Sequence, residues 1–240
     1  MTLMEFVGCT LLAFGPPFSM FIVTIAHDPV RIIIMIAAAF FWLLSLLTSS
    51  LWWFIVVPLR GELAFGLVFS VIFQEAFRCL TYLIIRRAEN GLKKITDDST
   101  QLIENKHILS YVSGFGFGLI SGMFSLVNVV ADSIGPSTMG LKSGSEQFFI
   151  TSSALCLCFI LLHTFWSIIF FDALDTSNLM QIVYVVLTHM LASCITLFNR
   201  YEVYSATLLP IYCILVVTAM NAFKVAGGSR SSLKRVLLCA

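Results

Sequence analysis

The sequence is short of charge. Only 11% of its 240 residues are Asp, Glu, Lys or Arg, while 59% are hydrophobic; an average soluble domain is about a quarter charged and about half apolar. A soluble globular fold has no means of hiding that much apolar surface. The Lys and Arg residues sit in short connections between apolar runs and form no basic face, which excludes a nucleic-acid binder. Alternation of apolar and polar residues is missing too, so a transmembrane barrel is excluded and helices remain as the spanning structure. Of seven cysteines only Cys239 lies outside the apolar runs, and no disulfide framework is indicated. Cys156 and Cys158 resemble a metal pair, but two residues apart on a helix they point roughly 200° from each other. Ordinary core or lipid-facing positions suit them better. Between Met1 and Ala26 there is no Lys or Arg, so the basic n-region of a cleavable signal is lacking and the first run reads as a retained span. There is no Asn-x-Ser/Thr sequon. Nor is there a connection long enough to fold alone, so any function must reside in the spans or in what they hold.

What the chain does have is apolar runs of membrane-spanning length. Runs of about 20 residues fall near residues 3–26, 32–57, 63–85, 108–131, 147–171, 179–198 and 206–226. The expected fold is therefore all-α, a single polytopic bundle of seven transmembrane helices. Turn formers separate the runs at Asp28-Pro29, Pro58 to Gly61, Asn90-Gly91, Gly135-Pro136 and Asp172 to Asn178. Orientation follows from the basic residues. With the N-terminus lumenal or extracellular, the cytosolic segments carry Arg31, Arg86, Arg87, Lys93, Lys94, Lys106, Lys224, Arg230, Lys234 and Arg235. The outer ones carry only Arg60, Lys142 and Arg200. The expectation is an outside N-terminus and a cytosolic C-terminus.

Four ionisable residues interrupt the spans: Glu75, Arg78, His163 and His189. Each such group costs about 3 kcal/mol or more at the bilayer centre unless paired, which makes it a candidate for function. Glu75 and Arg78 lie three apart, on one helix face, where an ion pair offsets desolvation. A purely structural pair, with Arg78 leaning toward the cytosolic side, is the competing reading. Counted from the cytosolic ends at 1.5 Å per residue, Glu75, His163 and His189 all lie roughly 12 to 15 Å deep. They either face a common polar cavity or make separate interhelical hydrogen bonds.

The fourth run carries Gly114, Gly118 and Gly122, with Gly116 and Ser121 between them. Small residues at four-residue spacing line one face and let another backbone approach closely, so this spacing predicts a helix-docking seam. In the first run Gly15-Pro16-Pro17 removes two donors and is expected to kink or split the helix. Trp42, Trp52, Trp53 and Trp166 lie mostly toward span ends, which suits an interfacial belt.

Several runs, in order along the chain, resemble the anterior-pharynx-defective family: Phe6 to Phe18 (FVGCTLLAFGPPF), Asp28 to Leu44 (DPVRIIIMIAAAFFWLL), Gln74 to Arg78 (QEAFR), Tyr111 to Gly122 (YVSGFGFGLISG), Leu161 to Asp172 (LLHTFWSIIFFD), Ser205 to Tyr212 (SATLLPIY) and Gly227 to Cys239 (GGSRSSLKRVLLC). That family supplies the seven-span scaffold subunit of gamma-secretase. The resemblance implies a non-catalytic subunit of the endoplasmic reticulum, Golgi and plasma membrane, without a cofactor or metal of its own. It implies assembly with presenilin, nicastrin and the presenilin enhancer in the lipid bilayer, in support of intramembrane cleavage of type I proteins such as Notch and amyloid precursor protein. It also implies assembly roles for Gly114, Gly118, Gly122, His163 and His189.

A second resemblance points to an enzyme. The type II CAAX proteases carry a Glu-Glu pair followed by Arg, a Phe-x-x-x-His and a His-x-x-x-Asn on membrane helices, and Phe159 to His163 (FILLH) is similar to the second motif. The others are degraded: Gln74-Glu75 stands at the acidic pair, Arg78 is one residue too close, and Ser193 replaces the amide after His189. Hydrolysis by an activated water needs a carboxylate base together with polarising ligands. A polar layer retained for structure is the preferred reading. A receptor or transporter, the third class for seven spans, would show an extracellular cysteine pair or repeated broken helices, and neither is evident.

Overall fold

The computed structural model describes residues 3–59, 61–95, 106–134, 147–201 and 203–229. Among these are seven helices long and apolar enough to cross a membrane, and no strands. In chain order they are α1 (Leu3–Thr24), α2 (Pro29–Ile55), α3 (Leu63–Ile95), α4 (Lys106–Ile134), α5 (Phe148–Asp175), α6 (Leu179–Ile195) and α7 (Tyr204–Val225), with 3-10 turns at Val57–Leu59 and Thr196–Tyr201. Cys239, the Gly135-Pro136 turn and the basic residues Arg60, Lys142, Arg230, Lys234 and Arg235 lie outside the described residues.

Helix ends are set by local chemistry. Asp28 caps α2 by accepting from the Val30 amide at 2.9 Å, with Pro29 at the first helical position where its missing N–H costs nothing. Arg31 donates to the Thr24 carbonyl at 2.6 Å, satisfying an end of α1 that has no partner within its own helix. Asn178 caps α6 after Ser177, which stands at φ 56°. At the end of α7, Gly227 at φ 85° lets its own amide reach the Lys224 carbonyl and that of Gly228 reach the Phe223 carbonyl.

Two helices, α3 and α1, depart from what their runs suggest. The run of the third span ends at Ile85, yet α3 continues to Ile95 because its charged turn finds partners. Arg86 bonds Glu89 at 2.8 Å and pairs with Asp175 at the end of α5, and the Tyr82 hydroxyl donates to the same Asp175 at 2.9 Å. In α1 the helix runs unbroken through Pro16 and Pro17. Its Ala13 is fully buried against Leu126, Cys156 and Ile160, so tertiary packing holds the segment where the prolines remove donors.

The fifth span is apolar around its whole circumference, and a helix of that kind belongs in the centre. Accordingly α5 touches α1, α4, α6 and α7 and is buried along most of its length. Cys156 and Cys158 illustrate its two sides. The first faces the Gly122 carbonyl of α4 and the second the Ile211 carbonyl of α7.

On its other flank α4 packs against α2. A Cβ at Gly114 would lie 2.6 Å from the Ser167 Cβ, at Gly118 2.6 Å from the Ile160 carbonyl oxygen, and at Gly122 2.7 Å from the end of the Ile160 side chain. These three glycines form the face that meets α5. Gly116, two residues out of register, faces the opposite way, and a Cβ there would collide with the Met35 carbonyl of α2. Thus α4 is pressed between two backbones. Overpacking costs about 1 to 3 kcal/mol, and the amount depends on what must move. Gly116→Ala and Gly118→Ala, which meet backbone, are expected at the upper end of that range. Gly122→Ala meets the flexible tip of Ile160 and is expected to cost less than half as much, as thermal unfolding of the detergent-solubilised chain would measure.

Candidate functional site

The site begins on α3, where Glu75 and Arg78 face the interior three residues apart and are 6% and 1% exposed. Arg78 Nε lies 3.1 Å from Glu75 Oε2, and Nη2 lies 3.2 Å from Oε1. The guanidinium's remaining hydrogens reach across to α5. Nη1 donates to the His163 carbonyl at 3.1 Å and to the Ser167 hydroxyl, and Nη2 lies 2.9 Å from His163 Nδ1. All five of its N–H groups are therefore engaged. Its flat face rests 4.8 Å from the centre of the Phe117 ring of α4. Arg78 is fully enclosed by the bundle.

The last member comes from α6, whose His189 Nδ1 lies 2.6 Å from Glu75 Oε1. His163 and His189 stand edge to face with ring centres 5.0 Å apart. Glu75, Arg78, His163 and His189 thus form one connected cluster joining α3, α5 and α6.

Proton positions follow from the partners. A guanidinium only donates, so Nδ1 of His163 is an acceptor and the ring's hydrogen is on Nε2. That ring is neutral. The carboxylate of Glu75, held by Arg78, accepts from His189, so Nδ1 of His189 carries a hydrogen.

Four participants escape a reading of the sequence. Ser167 falls four residues after His163, on the same face of α5, but a serine in a span carries no distinguishing signal. Phe117 hides within the glycine run. Trp166, assigned above to the interfacial belt, is fully buried; it stacks on His189 with ring centres 4.5 Å apart and donates to Thr188 at 3.0 Å. Trp42 is also inside, 5% exposed, with its Nε1 donating to Gln74 at 3.3 Å. Trp52 and Trp53 are the exposed pair.

A cavity of about 1090 Å³ reaches this cluster from the end of the bundle where α2 and α6 finish and α3 and α5 begin. Its floor includes His163, His189 and Gln74; its walls alternate apolar side chains such as Leu67, Leu155 and Phe159 with serines such as Ser49, Ser152 and Ser193. Among the described residues no three His, Cys, Asp or Glu side chains are placed to hold a metal ion. Both oxygens of Glu75 are already occupied by Arg78 and His189.

Removing one partner of a buried ion pair strands the other, at about 3 to 5 kcal/mol, whereas replacing both by apolar groups is often neutral. Glu75→Leu and Arg78→Met are each expected to lower the yield and melting temperature of the purified chain sharply. The double variant is expected to be no worse than either single one, and a plain sum of the two losses would show that the pair does not act as a unit.

The chain matches the Aph-1 protein family over residues 4–229. It is 60% identical over 239 residues to "Gamma-secretase subunit Aph-1" of Drosophila melanogaster, with 100% of both chains covered. It is 45% identical to "Gamma-secretase subunit Aph-1b" of Danio rerio and 44% to "Gamma-secretase subunit APH-1B" of Homo sapiens, covering 100% of this chain and 95% of each relative. Matches of this extent leave no part of the described bundle outside the likeness, and the chain belongs to the Aph-1 family.

Proposed function

We propose that this protein is a gamma-secretase subunit that acts as a non-catalytic scaffold, assembling in the bilayer with presenilin, nicastrin and the presenilin enhancer. The observation that carries the reading is the 60% identity over the whole of both chains to a relative named as a gamma-secretase subunit. The chemistry of the site supports it. Proteolysis by an activated water requires a carboxylate free to take a proton, and Glu75 has both oxygens committed to Arg78 and His189. A saturated ion pair of this kind holds helices in register and is better suited to structure than to turnover. The CAAX-protease likeness is accordingly read as architecture without activity. In this reading the N-terminus is lumenal or extracellular, the C-terminus is cytosolic, and the complex resides in the endoplasmic reticulum, Golgi and plasma membrane. The seam Gly114, Gly118 and Gly122 and the cluster Glu75, Arg78, His163 and His189 serve assembly, and substrates such as Notch and amyloid precursor protein belong to the complex as a whole.

Affinity isolation of the full chain in mild detergent tests the reading. Presenilin, nicastrin and the presenilin enhancer are expected to co-purify; recovery as a lone chain that cleaves a prenylated peptide would overturn it. Gly118→Leu, which drives a side chain into the Ile160 carbonyl, is expected to lower that co-purification several-fold.

The histidines give a finer test, because glutamine offers both an acceptor, as His163 Nδ1 does, and a donor, as His189 Nδ1 does. His163→Gln and His189→Gln are expected to retain most of the complex and its proteolytic activity, while the Ala variants lose complex. Intact assembly with abolished activity in every variant would refute the structural role.

A further inference from the structure

The polar cluster accounts for every hydrogen-bonding group it contains except two. Arg78 has no spare N–H, and each oxygen of Glu75 is engaged. The hydrogen bonds of His163 and His189 use Nδ1 of each ring, which leaves the two Nε2 atoms to the cavity that both rings line. Both rings are nearly inaccessible, 1% and 2% exposed, and both line the floor of the cavity. A polar atom at the inner end of a cavity ordinarily meets a ligand or an ordered water.

The two atoms are complementary in role. His163 Nε2 carries a hydrogen because its Nδ1 accepts from Arg78, so it presents a donor. His189 gives its Nδ1 hydrogen to Glu75, so in the neutral ring Nε2 presents a lone pair. A donor and an acceptor on rings 5.0 Å apart suit a group that accepts once and donates once. A hydroxyl does both. Charge at the floor is already balanced between Glu75 and Arg78, and the lining holds no Lys or Arg, so a phosphate or carboxylate would find no free counter-charge; the one further charge, Glu62, is exposed at the start of α3, away from the floor. Above the floor, Leu46, Trp53, Leu67, Val71, Leu155 and Phe159 provide apolar wall. The volume of about 1090 Å³ stands just above the roughly 300 to 1,000 Å³ typical of small-molecule pockets.

We propose that this cavity binds a neutral lipid alcohol, its hydroxyl accepting from His163 Nε2 and donating to His189 Nε2 and its apolar body filling the space toward the mouth. The site is additional to the assembly role and does not rest on it. Co-purification of partners is scored in the same samples, so a failure of either leaves the other legible.

The full chain, alone and with its partners, is reconstituted in phosphatidylcholine nanodiscs with photoreactive alkyne probes: a sterol, a straight-chain primary alcohol, and the O-methyl ether of each. An ether keeps an acceptor for His163 but has no hydrogen for His189. At least one alcohol is expected to crosslink cavity-lining residues of α5 or α6 about tenfold more than its ether, the worth of one buried hydrogen bond, and excess unlabelled alcohol is expected to abolish the signal. Ser152→Phe, which fills the cavity without touching the cluster, is expected to remove the crosslink while the melting temperature is kept. Equal labelling by alcohol and ether, absence of cavity crosslinks with every probe, or undiminished labelling of the Ser152→Phe chain would each overturn the proposal and leave water as the occupant.

Discussion

A guanidinium withdrawn from water must find an acceptor for every hydrogen it carries, and in this bundle that demand falls on Arg78. One neighbour on its own helix and two residues of α5 meet it, and Glu75 passes the constraint on to α6 through His189. Three helices are thereby held at fixed depth relative to one another. Apolar packing alone does not do this in a membrane, because a helix face exchanges lipid contacts for protein contacts of similar kind when it slides or turns. Directional bonds to a buried cation allow no such drift.

The glycine faces and the charged cluster are parts of one construction. Gly114 and Gly118 let α4 settle against the Thr164, Ser167 and Ile160 positions of α5. That close approach carries Phe117 beneath the Arg78 guanidinium and beside the His163 ring. A wider separation of α4 from α5 would take away the aromatic floor of the cluster as well as the backbone contacts. Gly116 extends the same logic to α2, whose Met35 carbonyl stands where a Cβ would be.

Much of this is legible in the chain. Seven long apolar runs correspond to seven helices, because spanning length and continuous apolarity are properties a sequence carries locally. Glu75, Arg78, His163 and His189 are conspicuous as ionisable residues among apolar ones, and a count of residues from each span end puts three of them at one depth. Their partners are not legible. Which nitrogen meets which oxygen depends on the rotation of three helices, and Ser167 or Phe117 gains its place only once those rotations are set. The same holds for the last turns of α3, whose Arg86 is stabilised by Asp175, 89 residues later. Trp166 departs from its expected belt position because Thr188 and the His189 ring give its indole both a hydrogen-bond acceptor and a stacking partner inside the protein. Pro16 and Pro17, expected to kink or split α1, do not split it, since the neighbouring Ala13 is clamped against α4 and α5.

The span of sequence that Arg78 must bridge bears on how the chain is made. Helices leave the translocation machinery in order, and α3 carries its cation into the bilayer before α5, with His163 and Ser167, or α6, with His189, has been synthesised. Until then Arg78 has only Glu75 to bond, and four of the seven helices form a partial bundle whose charged pair is incompletely solvated by protein. Such a nascent intermediate is the form most exposed to recognition by a membrane chaperone or a degradation pathway, and arrival of the fifth and sixth spans is the event that conceals it. Enclosure of the charged pair is thus completed only when the fifth and sixth spans are in place, which ties the last polar contacts of the third span to residues made long after it.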